Sequence, residues 1–346
     1  MKVNDKLNLI KRNVQEIIEE KELKKLLSEK KKIKAYIGYA TTGMMHIGHL
    51  VPIIKIADMI TAGVDFTFMA ADIHAYLDDK KSPWKLLDAR AKVYLEVIKA
   101  VMNLLNVNSK KIKLVKGSDF EFNKQYWLDI LQMSNLVTMN RTKRATSEVV
   151  RFGDAPKMGG FFYPFMQIED IVALKADIAF SGIDQRGIYM LGRELLPELG
   201  YKKPVCIFTP LLNNIEGSRM NGKMSSSSGK KISLIDSDSD IKKKISNAFC
   251  PANQTENNPI LDIFELIIFP VLEYQKKTLE IKRPAKFGGT LKPKNINELR
   301  KAFTNGLHPI DLKNSCAEEL IKIISKIRTK LFAKQMLLKK AYPTLI

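Results

Sequence analysis

Apolar residues along this chain fall into two rhythms. Leu7, Ile10, Val14, Ile17 and Ile18 recur at helical spacing among charged residues and predict a helix or helix pair over residues 5–31. The lysine-rich run at 29–34 reads as a solvated linker. From Ile33 onward, short apolar runs alternate with longer amphipathic stretches. Ile33, Ala35, Tyr36 and Ile37 predict a first strand, residues 50–62 an apolar helix, and residues 64–70 a second strand ending in Ala71, Asp72, Ile73 and His74. Ser82 before Pro83 predicts the start of a long helix through Leu105, with a capping hydroxyl ahead of a proline at the first helical position. Residues 111–115, 177–180 and 204–208 read as further strands, 120–150 as mostly helical, and 185–199 as a helix. Such alternation predicts a parallel sheet wrapped by helices. Ligands bind beyond the carboxyl ends of strands in these sheets, so residues 36–49 and 71–74 become the candidate site.

Residues 211–240 break the alternation, being poor in apolar runs and rich in Gly, Ser and Asn, and predict a loop. Residues 241–346 look helical and basic. Lys and Arg number 57 against 37 Asp and Glu, a net charge of +20 that suits a polyanion better than an acidic metabolite. Lysine is nevertheless spread through most of the chain, so charge alone moves the reading little. Cys206, Cys250 and Cys316 follow no ligand or disulfide spacing and suit a reducing compartment. No signal-like or membrane-length apolar run is present, and a cytoplasmic protein with no membrane partner is expected.

Between the first strand and its helix lies Thr41, Thr42 and Gly43, then His46, Ile47, Gly48 and His49. A helix start offers unpaired N–H groups to phosphate, and two histidines three apart share a face if both enter the first turn. Gly48 between them admits a flat ring or ribose. Two neutral donors there could stabilise the charge that builds on an attacked phosphate. Surface polar residues or a metal pair are the alternatives, although helical metal pairs favour i, i+4 with a nearby acid. Farther on, Gly217, Gly222 and Lys223 fit the start of a phosphate loop, but Met224 stands where a magnesium-binding hydroxyl is needed. Tyr163, Gln167 and Asp170, at i, i+4 and i+7, share one face of a predicted helix that begins near Tyr163. Spacing alone favours a solvated face there.

The stretch His46, Ile47, Gly48, His49 resembles the first signature of class I aminoacyl-tRNA synthetases, and the flanking YIGYATTG resembles the archaeal and eukaryotic tyrosyl branch. Lys223, Met224, Ser225, Ser226 and Ser227 resemble the second signature, in the expected order along the chain. Ser226 departs from the second lysine of many class I enzymes, and Ala40 from an acidic residue in the archaeal pattern. The resemblance implies a Rossmann-like catalytic domain (33–222, with a helical insertion near 120–165), an N-terminal helical segment (1–32), a signature loop and linker (223–240), and a helical anticodon-binding domain (241–346). It implies catalysis by His46, His49, Lys223 and Ser226, with Thr42, Gly48, Met224, Ser225 and Ser227 on ATP, taken as its magnesium complex. Tyr36, Gly38, His74, Tyr163, Gln167, Asp170 and Gln185 would hold tyrosine. Arg144, Arg186, Phe287, His308 and Asp311 would meet tRNA(Tyr), and a homodimer joined through the catalytic domain is expected. The competing readings are a tryptophanyl synthetase, a nucleotidylyltransferase using the same histidine pair, and a non-catalytic tRNA-binding relative.

Overall fold

The computed structural model describes residues 1–29, 32–78, 82–150, 152–216 and 231–344. Lys223, Met224, Ser225, Ser226 and Ser227 therefore lie outside the described residues. The chain runs α1 (Val3–Lys11), β1 (Glu16–Ile18), α2 (Glu20–Glu29), β2 (Lys34–Ala40), α3 (Leu50–Thr61), β3 (Asp65–Ala71), α4 (Asp72–Leu77), α5 (Leu87–Leu104) and β4 (Ile112–Lys116). It continues through α6 (Lys124–Leu136), α7 (Met139–Thr146), α8 (Met158–Ala173), β5 (Ile178–Gly182), α9 (Arg186–Glu198) and β6 (Val205–Thr209). The last part is helical: α10 (Asp238–Ser246), α11 (Pro259–Ile263), α12 (Phe269–Tyr274), α13 (Ile296–Thr304), α14 (Pro309–Phe332) and α15 (Gln335–Ala341).

The strands form one sheet in the order β1-β6-β5-β2-β3-β4, parallel except for β1. Parallel strands buried on both faces need near-continuous apolar sequence, and the fully buried Val205–Thr209 of β6 has it. β1 corrects the sequence reading, which expected only helix over 5–31. Asn13 and Glu19 adopt positive φ (53° and 67°) and break the helix on either side. The residues between them pair antiparallel with β6, Glu16 opposite Phe208 and Ile18 opposite Cys206, covering an otherwise open edge. Ser82 is a second correction. A single 3₁₀ turn, Trp84–Leu86, precedes α5, and the Ser82 hydroxyl accepts from Arg90 (3.1 Å) rather than capping a helix.

Chain direction across the sheet reverses at β2, with β3 and β4 on one side and β5 and β6 on the other. β2 keeps register with β3 from Lys34–Asp65 to Ala40–Ala71. With β5 it pairs only at Ala35–Ile178 and Tyr36–Ala179. Beyond Tyr36 these two strands therefore diverge, and the divergence opens a crevice at their carboxyl ends, where such sheets bind ligands.

Alternation along β2 sends Ala35 and Ile37 into one core and Tyr36 into the other. The Tyr36 core is closed by α6, α8 and α9. The opposite core holds α3 and α5 and runs without a break into Ile241, Phe264, Leu299, Leu312 and Ile324 of the C-terminal helices. A polar clamp reinforces that junction. Asp58 of α3 accepts from Arg12 at the end of α1, from Lys55, and from Tyr274 of α12, while Arg12 also pairs with Glu273.

Candidate active site

The loop after β2 is tied down before it reaches the histidines. Arg90 donates to the Thr42 carbonyl (2.8 Å), and the hydroxyls of Tyr94 and Tyr342 donate to the Gly43 carbonyl (2.6 and 3.1 Å). His46 then caps a 3₁₀ turn, Ile47–His49, which leads into α3. The two histidines thus flank a tight turn instead of sharing an α-helical face. Residues 232–234 return beside this turn: Ile47 N–H donates to the Ile232 carbonyl (3.0 Å), and Leu234 N–H to the Met45 carbonyl (3.0 Å). The chain after residue 231 therefore packs against the histidine turn.

Local hydrogen bonds settle the state of both imidazoles. His46 Nδ1 accepts from the Gly48 N–H (3.2 Å), and His49 Nδ1 accepts from the His46 N–H (3.3 Å). Each ring is thereby left with its proton on Nε2. Burial pushes His46 down to about 2, with His49 and Lys231 adding to the effect, and pushes His49 down to about 4. Both are neutral donors at neutral pH. The rings meet edge to face, centroids 4.2 Å apart. Gly48 is required here, because a Cβ would stand 2.9 Å from His46 Cε1.

A cavity of about 580 Å³ runs from this turn along the crevice between β2 and β5. Thr42, His46, Gly48 and His49 line one end, and Gly38, Tyr163, Gln167 and Gln185 the other. Gln167 Nε2 donates to Gln185 Oε1 (3.2 Å), pairing α8 with the turn before α9. α8 begins at Met158, five residues before the predicted start, and Tyr163, Gln167 and Asp170 are all buried on its inward face. The solvated-face reading of that spacing is wrong: the face covers a sheet.

Tyr36, His74 and Asp170 do not line the cavity but lie behind its floor. The Tyr36 hydroxyl donates to the Gln167 carbonyl (2.8 Å) and accepts from Tyr189 (3.3 Å). Asp170 Oδ1 accepts from Tyr126 (2.9 Å), while Oδ2 has no hydrogen bond among the described residues. The His74 ring meets Tyr163 edge-on at 4.9 Å. Burial pushes the Asp170 carboxyl up to about 8, against the pull of His74. Sequence reasoning missed Tyr126 and Tyr189, which hold Asp170 and Tyr36, and the lining residues Tyr39, Asp78, Asp184 and Thr209. Only their positions, Asp184 just past the end of β5 and Thr209 at the end of β6, marked these two.

The profile of the tRNA synthetases class I (W and Y) matches residues 28–325. The chain belongs to that family. It is 42% identical over 344 residues to a tyrosine–tRNA ligase of Haloarcula marismortui, covering 99% of this chain and 98% of that one. With the cytoplasmic tyrosine–tRNA ligase of Danio rerio it shares 40% identity over 98% of its own length, and it spans 63% of that longer protein. The crystal structure of an Archaeoglobus fulgidus tyrosyl-tRNA synthetase with L-tyrosine superposes with a TM-score of 0.88 at 39% identity, covering 95% of this chain and all of that one.

In this synthetase the five residues matched to tRNA contacts are spread over distant elements. Arg144 is exposed on α7. Arg186 opens α9 and already holds Glu16 of β1 through two hydrogen bonds (2.7 and 3.0 Å), so RNA would have to compete for it. Phe287, 58% exposed, ends a 3₁₀ turn before Gly288, with Lys286 Nζ 5.0 Å from the centre of its ring. His308 is exposed and caps α14 through Nδ1 (3.2 Å to the Ile310 N–H), and Asp311 stands in the first turn of that helix.

Proposed function

We propose that this synthetase activates L-tyrosine with ATP and transfers it to the terminal ribose of tRNA(Tyr). The observation that carries the reading is the single cavity joining two neutral Nε2 donors at one end to a paired-amide floor with a buried carboxylate behind it. The tyrosine carboxylate attacks the α-phosphate of ATP, the bond to the β-phosphate breaks, and pyrophosphate leaves. His46 and His49 donate to phosphoryl oxygens as their charge grows. Gln167, Gln185 and Tyr163 take the amino group, and Asp170 with Tyr36, which lie behind the cavity floor in this conformation, receives the phenol hydroxyl once the side chains over them shift. A ribose hydroxyl of tRNA then attacks the adenylate carbonyl and AMP leaves. Positioning and charge stabilisation suffice, without a covalent enzyme intermediate.

ATP enters as its magnesium complex, with Lys223 and Ser226 acting on the leaving pyrophosphate and Met224, Ser225 and Ser227 binding ATP. The helices beyond residue 240 read the anticodon through Phe287, His308 and Asp311, and Arg144 and Arg186 meet the acceptor stem. The active form is a homodimer. Phe122, Leu128, Leu131, Leu136 and Met139 expose large apolar side chains on and beside α6 and α7, which supports a contact there. No described helix is long and apolar enough to cross a membrane, and we place the reaction in the cytoplasm.

ATP–pyrophosphate exchange with each of the twenty amino acids tests the reading. Exchange with tyrosine alone is expected. Exchange driven by tryptophan would reassign the substrate, and exchange that needs a phosphate-bearing acceptor in place of any amino acid would make the site a nucleotidylyltransferase.

A further inference from the structure

Behind the amino-acid end lies a group of ionisable side chains that the two chemical steps do not touch. His74, 2% exposed, stands between two carboxylates. Its Nδ1 is 3.2 Å from Glu121 Oε1, and its Nε2 is 3.7 Å from Asp170 Oδ2. Both ring nitrogens, both Glu121 oxygens and Asp170 Oδ2 are buried and make no well-aligned hydrogen bond among the described residues. One carboxylate stands at each ring nitrogen. Glu121 reaches this position only because residue 117 is glycine: a Cβ there would stand 2.4 Å from Glu121 Oε1.

The other groups around the cluster do not balance it. Asp72 of α4 is held by the Ser118 N–H and hydroxyl (2.9 and 2.6 Å). Tyr126 of α6 donates to Asp170 Oδ1, Tyr163 of α8 meets the His74 ring, Tyr36 of β2 and Tyr189 of α9 are further phenols nearby, and the adjoining Glu169 of α8 is itself pushed up by burial and by Asp129 and Asp170. No Lys or Arg among the described residues pairs with Glu121 or Asp170. With both carboxylates ionised, one cation would face two negative charges in a site closed to solvent, a cost that drives Asp170 toward protonation. Each of the three residues offers one atom within 4.8 Å of the others, so an ion bound there would compete with the imidazolium for the two carboxylates.

We propose that His74 and Glu121 are positioning residues that set the charge of Asp170, and through it the preference for a substrate bearing a phenol hydroxyl. The proposal rests on the tyrosine reading above. An ionised Asp170 accepts the phenol O–H as a charge-assisted bond, whereas a protonated one accepts it weakly. Geometry gives the two neighbours opposite effects: the His74 imidazolium draws Asp170 toward its ionised form, and Glu121 pushes it back. Burial and Glu121 push Asp170 up, and His74 and Tyr126 pull it down, leaving it at about 8. His74 is held above the usual histidine range: burial opposes its charge, but Glu121 and Asp170 outweigh burial.

The test is amino-acid-dependent ATP–pyrophosphate exchange by the full-length protein from pH 6 to 9, with KM measured for tyrosine and for phenylalanine. In the wild type, preference for tyrosine should rise with pH through one midpoint, while KM for phenylalanine stays flat. Glu121→Gln removes a negative neighbour at constant shape and should move the midpoint down by about one pH unit or more. His74→Asn removes the cation, should move it up, and should cut the tyrosine preference at pH 7 by about tenfold. His74→Gln deletes the same charge with a longer side chain and reads the same shift if the first variant does not fold. Midpoints that stay put, or that move in the same direction in both variants, would overturn the proposal while tyrosine-dependent exchange kept the functional reading intact. Stoichiometric zinc in the purified protein, lost together with exchange on chelation, would overturn it in favour of a metal site. A wild type with no tyrosine-dependent exchange would instead remove the reading beneath it.

Discussion

At the histidine end of the cavity, four consecutive residues supply two rings and the backbone amides that hold them. At the opposite end, the side chains come from β2, α4, α6, α8 and α9, up to 153 positions apart in the Tyr189–Tyr36 contact. Burial acts at both ends and with opposite chemical results. It drives His46 and His49 to their neutral forms, which makes them donors without charge, and it drives Asp170 toward protonation, which neighbouring groups must resist. A local motif can thus be complete in itself. A distributed pocket depends on whatever surrounds it.

The contrast breaks most sharply at the histidines. His46→Ala should slow single-turnover tyrosyl-adenylate formation by about 10²–10³-fold, the usual loss for one preorganised donor, with little change in tyrosine affinity. Because both imidazoles stay neutral above about pH 5, that step should show no histidine titration between pH 6 and 8. A wild-type rate in the variant would strip the turn of its role.

Asp170→Ala comes next. Removing the buried acceptor should lower discrimination against phenylalanine by about 1–3 kcal/mol, read as the ratio of kcat/KM for the two amino acids. An unchanged ratio would move the phenol site elsewhere.

Two glycine variants compare the ends directly. Gly48→Ala brings a Cβ against the His46 ring itself, so its adenylate rate should fall roughly tenfold or more, in the same sense as His46→Ala. Gly38→Ala meets only the mobile end of Met69, at 2.8 Å, and should raise KM for tyrosine with a smaller effect on rate. Equal losses of rate would mean that the turn is no more tightly built than the pocket.

The smallest effect on chemistry is expected farthest away. Asp311→Ala should leave pyrophosphate exchange unchanged and impair aminoacylation by about 1–3 kcal/mol, with less sensitivity to the first anticodon base. If wild type and variant charge anticodon-substituted tRNA equally, anticodon reading through Asp311 is refuted.

Much of this architecture was legible in one dimension. Five of the six strands follow from apolar runs bounded by turn residues, because a strand buried on both faces admits little else. The histidine turn could be located for a related reason: its partners lie within three residues, so spacing nearly specifies geometry. What tertiary structure alone decided depends on contacts between distant residues. β1 is a strand because the edge of β6 needed covering, not because three residues prefer to be extended. The inward face of α8 could not be told from a solvated one until a sheet lay against it. Glu121 carried no signal at all, since its surroundings are a glycine four residues back and a histidine and an aspartate on two distant helices. Periodicity records which side of an element is buried. It does not record which buried charges will face each other, because that is settled only when the elements pack.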